Sequence, residues 1–326
     1  MENLIQFGIG LAQTLQAMSP GLDAFMKAIS FFGTIEFYLL LIPLLYWLVD
    51  SRLGIRVLLV LLSADILGTY MKQLFHQPRP YWVGNVQALS TETSYGIPST
   101  HASDSFAAWA YLGVRPQKAW LWTLAVVLIL LIGISRIYLG VHFPHDVIFG
   151  WLIGAVAIFI FVRLEERIIE FLQAQTIGRQ ILTVFALSII ILLIAHLIHF
   201  LVQGASDPEA WAQYSILSRS PSHFYTVAGA FIGATNGYLL MVRLAPFKTS
   251  GTPAQKIGRY FLGIVGLILI WKGLDSLFGL VAPEEGLFGY FLRYIRYGAT
   301  ATWATFLAPL IFLRLKLAKA GRRTVI

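Results

Sequence analysis

The chain has no cysteine. That excludes disulfides, thiolate nucleophiles and cysteine-ligated zinc or iron–sulfur centres, and it leaves the redox compartment open. Charge is scarce as well. Only 12% of the 326 residues are Asp, Glu, Lys or Arg, about half the usual fraction of a soluble domain. Acids are the scarcer sign, 16 against 24 Lys and Arg, for a formal net charge of +8. What fills the chain instead is apolar: 57% of residues are hydrophobic and 14% aromatic, with a mean hydropathy of +0.72. About 20 such residues span the hydrocarbon of a bilayer, so this composition matches an all-α, polytopic transmembrane helical bundle of about nine spans. Little remains for a soluble domain, which excludes a cytosolic enzyme with a membrane tail.

Residues 1–30 alternate apolar and polar positions at helical spacing, with Ile5, Ile9, Leu11 and Leu15 set among Gln6, Gln13 and Gln16. This pattern predicts an N-terminal amphipathic interfacial helix, followed by a short re-entrant or second interfacial piece. No basic segment and no continuous apolar core mark it as a signal peptide. Nine apolar segments follow at about 33–50, 54–76, 99–114, 119–137, 147–164, 180–203, 222–245, 258–280 and 298–315. Nine spans place the connections on alternate sides. Lys27, Lys72, Arg79, Arg136, Arg219, Lys272, Arg293 and Arg296 fall on one side. The other sixteen basic residues, from Arg52 and Arg56 through Arg115 and Lys118 to Arg322 and Arg323, fall on the opposite side. The positive-inside rule makes that richer side cytoplasmic, N-out and C-in. The membrane accounts for the positive charge, and no nucleic-acid partner is needed.

Three polar clusters interrupt the apolar pattern, all on the outer side: Lys72 with Arg79-Pro80; Pro98-Ser99-Thr100-His101; and Ser135-Arg136 with His142 and Asp146. Together they suit phosphate chemistry. Lys72, Arg79 and Arg136 neutralise charge on phosphoryl oxygens, the arginines through a planar fork of donors. Ser99 and the N–H groups of Ser99 and Thr100 stand at a helix start, a natural anion site. Pro144 suits the first position of the next helix, which puts Asp146 in its first turn. There it can fix the tautomer of His142 and free the other ring nitrogen as a nucleophile. His101 is then available to protonate the leaving oxygen and activate water.

Other polar residues read more blandly. His145 is a competitor for the nucleophile role, with headgroup contact favoured. Asp104 is equally suited to tuning His101 or to a solvated helix start. His196 and His199 fit helix packing better than metal ligation, and Lys272 and Asp275 suit a self-neutralising i,i+3 pair. Asp65, in mid-membrane, calls for a polar partner inside the bundle.

At the three clusters the sequence resembles the type 2 phosphatidic acid phosphatase superfamily, which includes glucose-6-phosphatases and vanadium haloperoxidases. The family pattern is Lys, six residues, Arg-Pro; then Pro-Ser-Gly-His; then Ser-Arg, five residues, His, three residues, Asp. Every spacing matches. The resemblance implies His142 as a nucleophile forming a phosphohistidine, Asp146 as its orienter and His101 as acid/base. It implies phosphate binding by Lys72, Arg79, Ser99, Thr100 and Arg136, with no metal and no cofactor. Thr100 stands where the family has glycine; at a helix start its N–H survives, so altered access rather than lost activity is expected.

The expected organisation is an interfacial segment over 1–30, a phosphatase core over 31–170 and an accessory four-span region over 171–326. The expected function is hydrolysis of a lipid phosphate at the outer face of an integral membrane protein, in a bacterial inner membrane with a periplasmic or extracellular site. The partners are the bilayer and the phosphorylated lipid: phosphatidate, phosphatidylglycerol phosphate, undecaprenyl (pyro)phosphate, a lipid A phosphate or a sphingoid phosphate. Hydrolysis of a soluble phosphomonoester and non-enzymatic phospholipid transport stay open as alternatives, as does the oligomeric state.

Overall fold

The computed structural model describes residues 2–114 and 119–321. Arg115, Lys118, Arg322 and Arg323, four of the residues behind the topology expectation, lie outside the described residues. In chain order the helices are α1 (Glu2–Gln16), α2 (Asp23–Phe31), α3 (Ile35–Leu44) continuing through a π-helical turn at Leu45–Val49, α4 (Ser51–Phe75), a short α5 (Pro80–Val83), α6 (Thr100–Val114), α7 (Ala119–Tyr138), α8 (Pro144–Gln173) and α9 (Ile177–Val202). There follow a short α10 (Ala212–Ser215), α11 (Ser222–Leu244), α12 (Pro253–Gly279), α13 (Leu287–Thr302) and, after a second π-helical turn at Trp303–Leu307, α14 (Ala308–Arg314). Among the described residues the one extended pairing is an isolated bridge between Phe247 and Ala320.

All nine apolar segments fall on helix. Among the described residues six stretches are long and apolar enough to cross a membrane: Ser51–Val83, Ala119–Tyr138, Pro144–Gln173, Ile177–Val202, Leu217–Leu244 and Pro253–Gly279. Asp23–Phe31 with Ile35–Val49, bent by 50°, makes a seventh if taken as one broken span. The count by length and composition is therefore six or seven against the nine expected. The shortfall has a physical basis. α6 has 15 residues, about 22 Å of helix against roughly 30 Å of hydrocarbon, and its first turns carry His101, Ser103, Asp104 and Ser105. α13 begins well before the expected 298 and carries Arg293 and Arg296.

The chain divides into two compact units. The first comprises Met1–Tyr38, Val60–Phe161 and His196–Ser220. Here α1 packs its apolar stripe on the protein: Ala12 is buried, and Ile9, Leu11 and Leu15 lie against Val86, Ala102, Ile137 and Val147. Its glutamines are ties as well as polar interruptions. Gln13 Nε2 donates to the Asn85 carbonyl (2.9 Å), and Gln16 Nε2 donates to the carbonyls of Gln87 (2.8 Å) and Tyr138 (2.9 Å).

α8 turns Ile148, Leu152, Val156 and Phe159 outward, each about half exposed, a face that water would penalise and hydrocarbon accepts. Its inner face carries Gly150 and Gly154 four apart. A Cβ there would come within 2.5 Å of the Ser99 carbonyl and 2.6 Å of the Ser103 carbonyl. Small residues at this spacing let the backbones of α6 and α8 approach closely, which brings Ser99 against the start of α8.

The second unit comprises Leu39–Leu59, Val162–Ala195 and Pro221–Ile326. Its core gathers Tyr46, Trp47, Ile55, Phe247 and Phe312. Polar ends of the aromatics reach backbone: Tyr46 OH donates to the Thr305 carbonyl (2.8 Å), Trp47 Nε1 to Ala304 (2.8 Å) and Trp303 Nε1 to Gly263 (2.9 Å). Pairing corrects one expectation. Asp275 bonds Arg296 rather than Lys272, and the Lys272 ammonium instead lies 4.2 Å from the centre of the Trp271 ring. A fork of donors on the neighbouring α13 outcompetes an i,i+3 ammonium.

Candidate active site

The three clusters come together in the first unit. Lys72 occupies the last turn of α4, and Arg79 precedes α5, which Pro80 starts. α7 ends in a glycine cap: Gly140 takes φ +75°, a left-handed conformation that other residues reach only at a cost. The turn lets the N–H groups of Val141 and His142 both donate to the Arg136 carbonyl (3.2 and 3.3 Å). His142 is thereby returned beside the arginine six residues before it. Pro144 then opens α8 with Asp146 in the first turn, as the sequence predicts.

Asp146 Oδ2 accepts from the Phe143 N–H (2.9 Å) and lies 3.3 Å from His142 Nδ1. On the other side of the ring, Arg79 Nη1 is 3.1 Å from His142 Nε2. Arginine has no acceptor, so Nε2 presents its lone pair and Nδ1 carries the proton. Burial, reinforced by Arg79, Lys72, Arg136 and His101, pushes the His142 imidazole well below its usual range, keeping it uncharged at neutral pH. His145 has its own contact with the carboxylate, Nε2 lying 3.4 Å from Asp146 Oδ1, and it stacks on Phe143.

Lys72 and Arg79 are held mainly by backbone oxygens, Arg136 by side chains. Lys72 Nζ donates to the Tyr95 carbonyl (2.6 Å) and the Gly96 carbonyl (3.3 Å). Arg79 uses Nε on the Ser94 carbonyl (2.6 Å), Nη1 on the Val141 carbonyl (2.8 Å), and Nη2 on Ser94 Oγ (3.0 Å) and the Tyr95 carbonyl (3.1 Å). Arg136 donates to Ser30 Oγ (2.6 Å) and forms an ion pair with Glu92. Of the residues in the three clusters, Ser99 Oγ and Arg136 Nε are buried with no hydrogen-bond partner among the described residues.

Thr100 is the first residue of α6. Its methyl faces Gly68 on α4, whose added Cβ would lie 3.2 Å away, so the β-branch is accommodated by α4. The Ser99 N–H, expected to face an anion, donates instead to the Asp146 carbonyl (2.9 Å). Asp104 is buried rather than solvated and accepts from Ser103 Oγ (3.1 Å). Asp65 accepts from Thr69 Oγ1 (3.4 Å). Among the described residues no group of three or more His, Cys, Asp or Glu side chains is arranged to hold a metal ion.

A cavity of about 480 Å³ reaches the site; His101, Arg136 and Glu92 line it together with apolar Phe31, Ile35 and Leu139 and polar residues that include Lys27 and Glu36. Glu92 escaped sequence reasoning. It pairs with Arg136 and stands 4.0 Å from Arg79. Burial alone would raise its carboxyl, but Arg136, then His101, Arg79 and Lys72, hold it below the usual carboxylate range. One signal was available: Glu92 is the sole acid between Gln77 and Pro98, in the loop joining two of the clusters.

Comparison with known proteins identifies relatives of the chain. The sequence pattern of the PAP2 superfamily matches residues 53–170, and that of the PAP2 superfamily phosphatase transmembrane extension matches residues 225–320. Similar curated proteins include lipid phosphate phosphatase delta of Arabidopsis thaliana, 28% identical over 52% of this chain and 44% of that one. The undecaprenyl-diphosphatase of Sulfolobus acidocaldarius is 36% identical over 35% and 56%. Glucose-6-phosphatase 3 of Mus musculus is 29% identical over 48% and 52%. The chain thus spans about half the length of these relatives.

Proposed function

The chain belongs to the PAP2 superfamily, and from that premise we propose that it is an integral-membrane, metal-independent phosphatase acting on a lipid phosphate through a phosphohistidine. The observation that carries this reading is the clamping of His142 between Asp146 at Nδ1 and Arg79 at Nε2. A phosphate carrier needs bound cations but has no use for an oriented, uncharged imidazole.

The reaction follows from the groups present. The phosphoryl group enters among Lys72, Arg79 and Arg136, where its oxygens take over the Arg79 donor that faces His142 and meet the spare donors at Ser99 Oγ and Arg136 Nε. His142 Nε2 forms the bond to phosphorus as the bond to the alkoxide oxygen breaks, and His101 supplies the proton to that oxygen. His101 then takes a proton from water, whose oxygen attacks phosphorus and releases inorganic phosphate, restoring Nε2. Asp146 stabilises the imidazolium character that develops in the first step.

The lipid reading draws on the cavity, where Phe31, Ile35 and Leu139 lie beside His101 and Arg136, and on the apolar outward faces of the helices. The relatives act on a lipid phosphate, a polyprenyl diphosphate and a sugar phosphate by their names, and the site itself reads the phosphate rather than the alcohol. The proposed topology, N-out and C-in with the site on the outer face, rests on the positive-inside rule applied to nine spans. A reporter fused after Ile326 reports cytoplasm on this reading, and an external signal refutes it.

Phosphate release by purified protein in detergent tests the mechanism. Wild type turns over in EDTA and is inhibited by vanadate; His142→Ala and His101→Ala each lose activity, the former by about 10³-fold or more. Wild-type turnover in both variants refutes the mechanism. Competition between long-chain and short-chain esters checks the substrate class, since equal preference for a soluble ester refutes the lipid reading.

A further inference from the structure

The two cations on α4 and before α5 share one oxygen: the Tyr95 carbonyl accepts from Lys72 Nζ (2.6 Å) and Arg79 Nη2 (3.1 Å). Where that carbonyl stands therefore decides where both positive charges stand. Tyr95 is fully buried. Its ring is packed edge-on by His76, Trp82 and Trp211, with centroids 4.6, 6.3 and 6.4 Å away. The phenol end reaches Asp207, with Tyr95 OH 3.0 Å from Oδ2 and 3.2 Å from Oδ1.

Asp207 lies in the segment between α9 and α11, outside the three clusters and beyond the core expected over 31–170. It is itself fixed: Ser215 Oγ donates at 2.7 Å, and Arg219 donates through Nε at 2.8 Å and pairs through Nη2 at 2.7 Å. Burial works against its charge, but these donors prevail and hold the carboxyl below its ordinary range. The same segment is tied a second time. Ser218 Oγ donates to the Thr93 carbonyl (3.1 Å), and Gln73, next to Lys72, donates to the Ser218 carbonyl (2.6 Å).

We propose that Asp207 and Tyr95 are positioning residues for phosphate binding: the segment around residues 205–219 grips Tyr95 by its hydroxyl, and the Tyr95 backbone sets the distance and direction of Lys72 and Arg79. The lever is stiff for a physical reason. An aromatic ring has two side-chain torsions, and here three neighbouring rings and the bond at its tip hold it, so a displacement at Asp207 reaches the carbonyl with little loss. The inference rests on the phosphatase reading, and it gives a role in that site to a stretch bearing none of the three sequence clusters.

The test measures kcat, KM for a short-chain phosphatidate in mixed micelles, and inhibition constants for vanadate and inorganic phosphate, in wild type, Tyr95→Phe, Asp207→Asn and Arg293→Gln. Tyr95→Phe keeps the ring and removes only the hydroxyl; Arg293→Gln breaks an ion pair with the exposed Glu284 and serves as the control. The expected result is a rise of roughly tenfold in KM and in both inhibition constants for Tyr95→Phe and Asp207→Asn, as follows from losing hydrogen bonds to a charged group, with Arg293→Gln like wild type. A fall in kcat alone, with KM and both inhibition constants unchanged, reports lost folded protein rather than displaced cations and overturns the inference. Unchanged kinetics in Tyr95→Phe overturn it too. Wild-type protein that releases no phosphate from any ester refutes the phosphatase reading and this inference with it.

Discussion

Arg259 in the second unit and Arg136 in the first are both shut off from solvent, and their neighbours differ in kind. Arg259 donates to the carbonyls of Trp47 (3.0 Å), Lys248 (3.2 Å) and Ser250 (3.2 Å). These are fixed backbone oxygens on two separate stretches of chain, so the guanidinium acts as a clamp with nothing left to exchange. Arg136 is bonded instead to two side chains, Ser30 and Glu92, with Nε unpaired among the described residues. A side-chain carboxylate can rotate away and an unpaired donor can take a new acceptor. The same residue type under the same burial is thus fully committed to backbone in one unit, and in the other keeps the exchangeable partners that the proposed phosphate binding requires.

Several substitutions test the contrast. Arg136→Lys replaces a fork by a point charge and is expected to lower kcat/KM about 100-fold, roughly 3 kcal/mol of transition-state stabilisation; equal activity would place Arg136 outside the reacting group's reach. Arg259→Met leaves the carbonyls of Trp47, Lys248, Ser250 and Gln255 without this donor. It is expected to cost about 3 kcal/mol of stability, read as a lower Tm with KM and vanadate inhibition unchanged; a changed KM would break the division between clamp and exchanger. Glu92→Gln removes the negative charge that competes for Arg136 and Arg79, and vanadate should then inhibit several-fold more tightly. If inhibition weakens, Glu92 serves by orienting Arg136 rather than by competing with phosphate.

The smallest expected effect is on pH. Because the folded His142 refuses a proton that the unfolded chain accepts below about 6.5, its contribution to stability is complete above that pH and declines as pH falls. Wild-type Tm should therefore fall more steeply from pH 7 to pH 5 than that of His142→Gln. Parallel curves would show that the imidazole titrates normally in the fold.

The pairing at the start of α8 was legible because it depends on residue types at short spacings. His142 and Asp146 are four apart with Pro144 between them, and helix geometry alone joins them across the start of α8. Thr100 as the first residue of α6 was likewise written locally. Other features were hidden for matching reasons. The Ser99 N–H was expected to face an anion, but the close approach of α6 to α8 through Gly150 and Gly154 gave it to Asp146. Lys272 and Asp275 looked like a pair until α13 brought Arg296. α6 was counted as a full span on apolar content, whereas its polar first turns are turned toward the protein.

The sequence by itself determined the membrane class, the helices and the local pairing of His142 with Asp146, since hydrophobic length, proline and glycine signals and motif spacing act within a few residues of chain. The tertiary structure alone decided which oxygens hold Lys72 and Arg79, that Glu92 sits on Arg136, and that Asp207 holds Tyr95 across 112 residues of sequence. Such contacts depend on where distant backbones meet, and no local pattern carries that information.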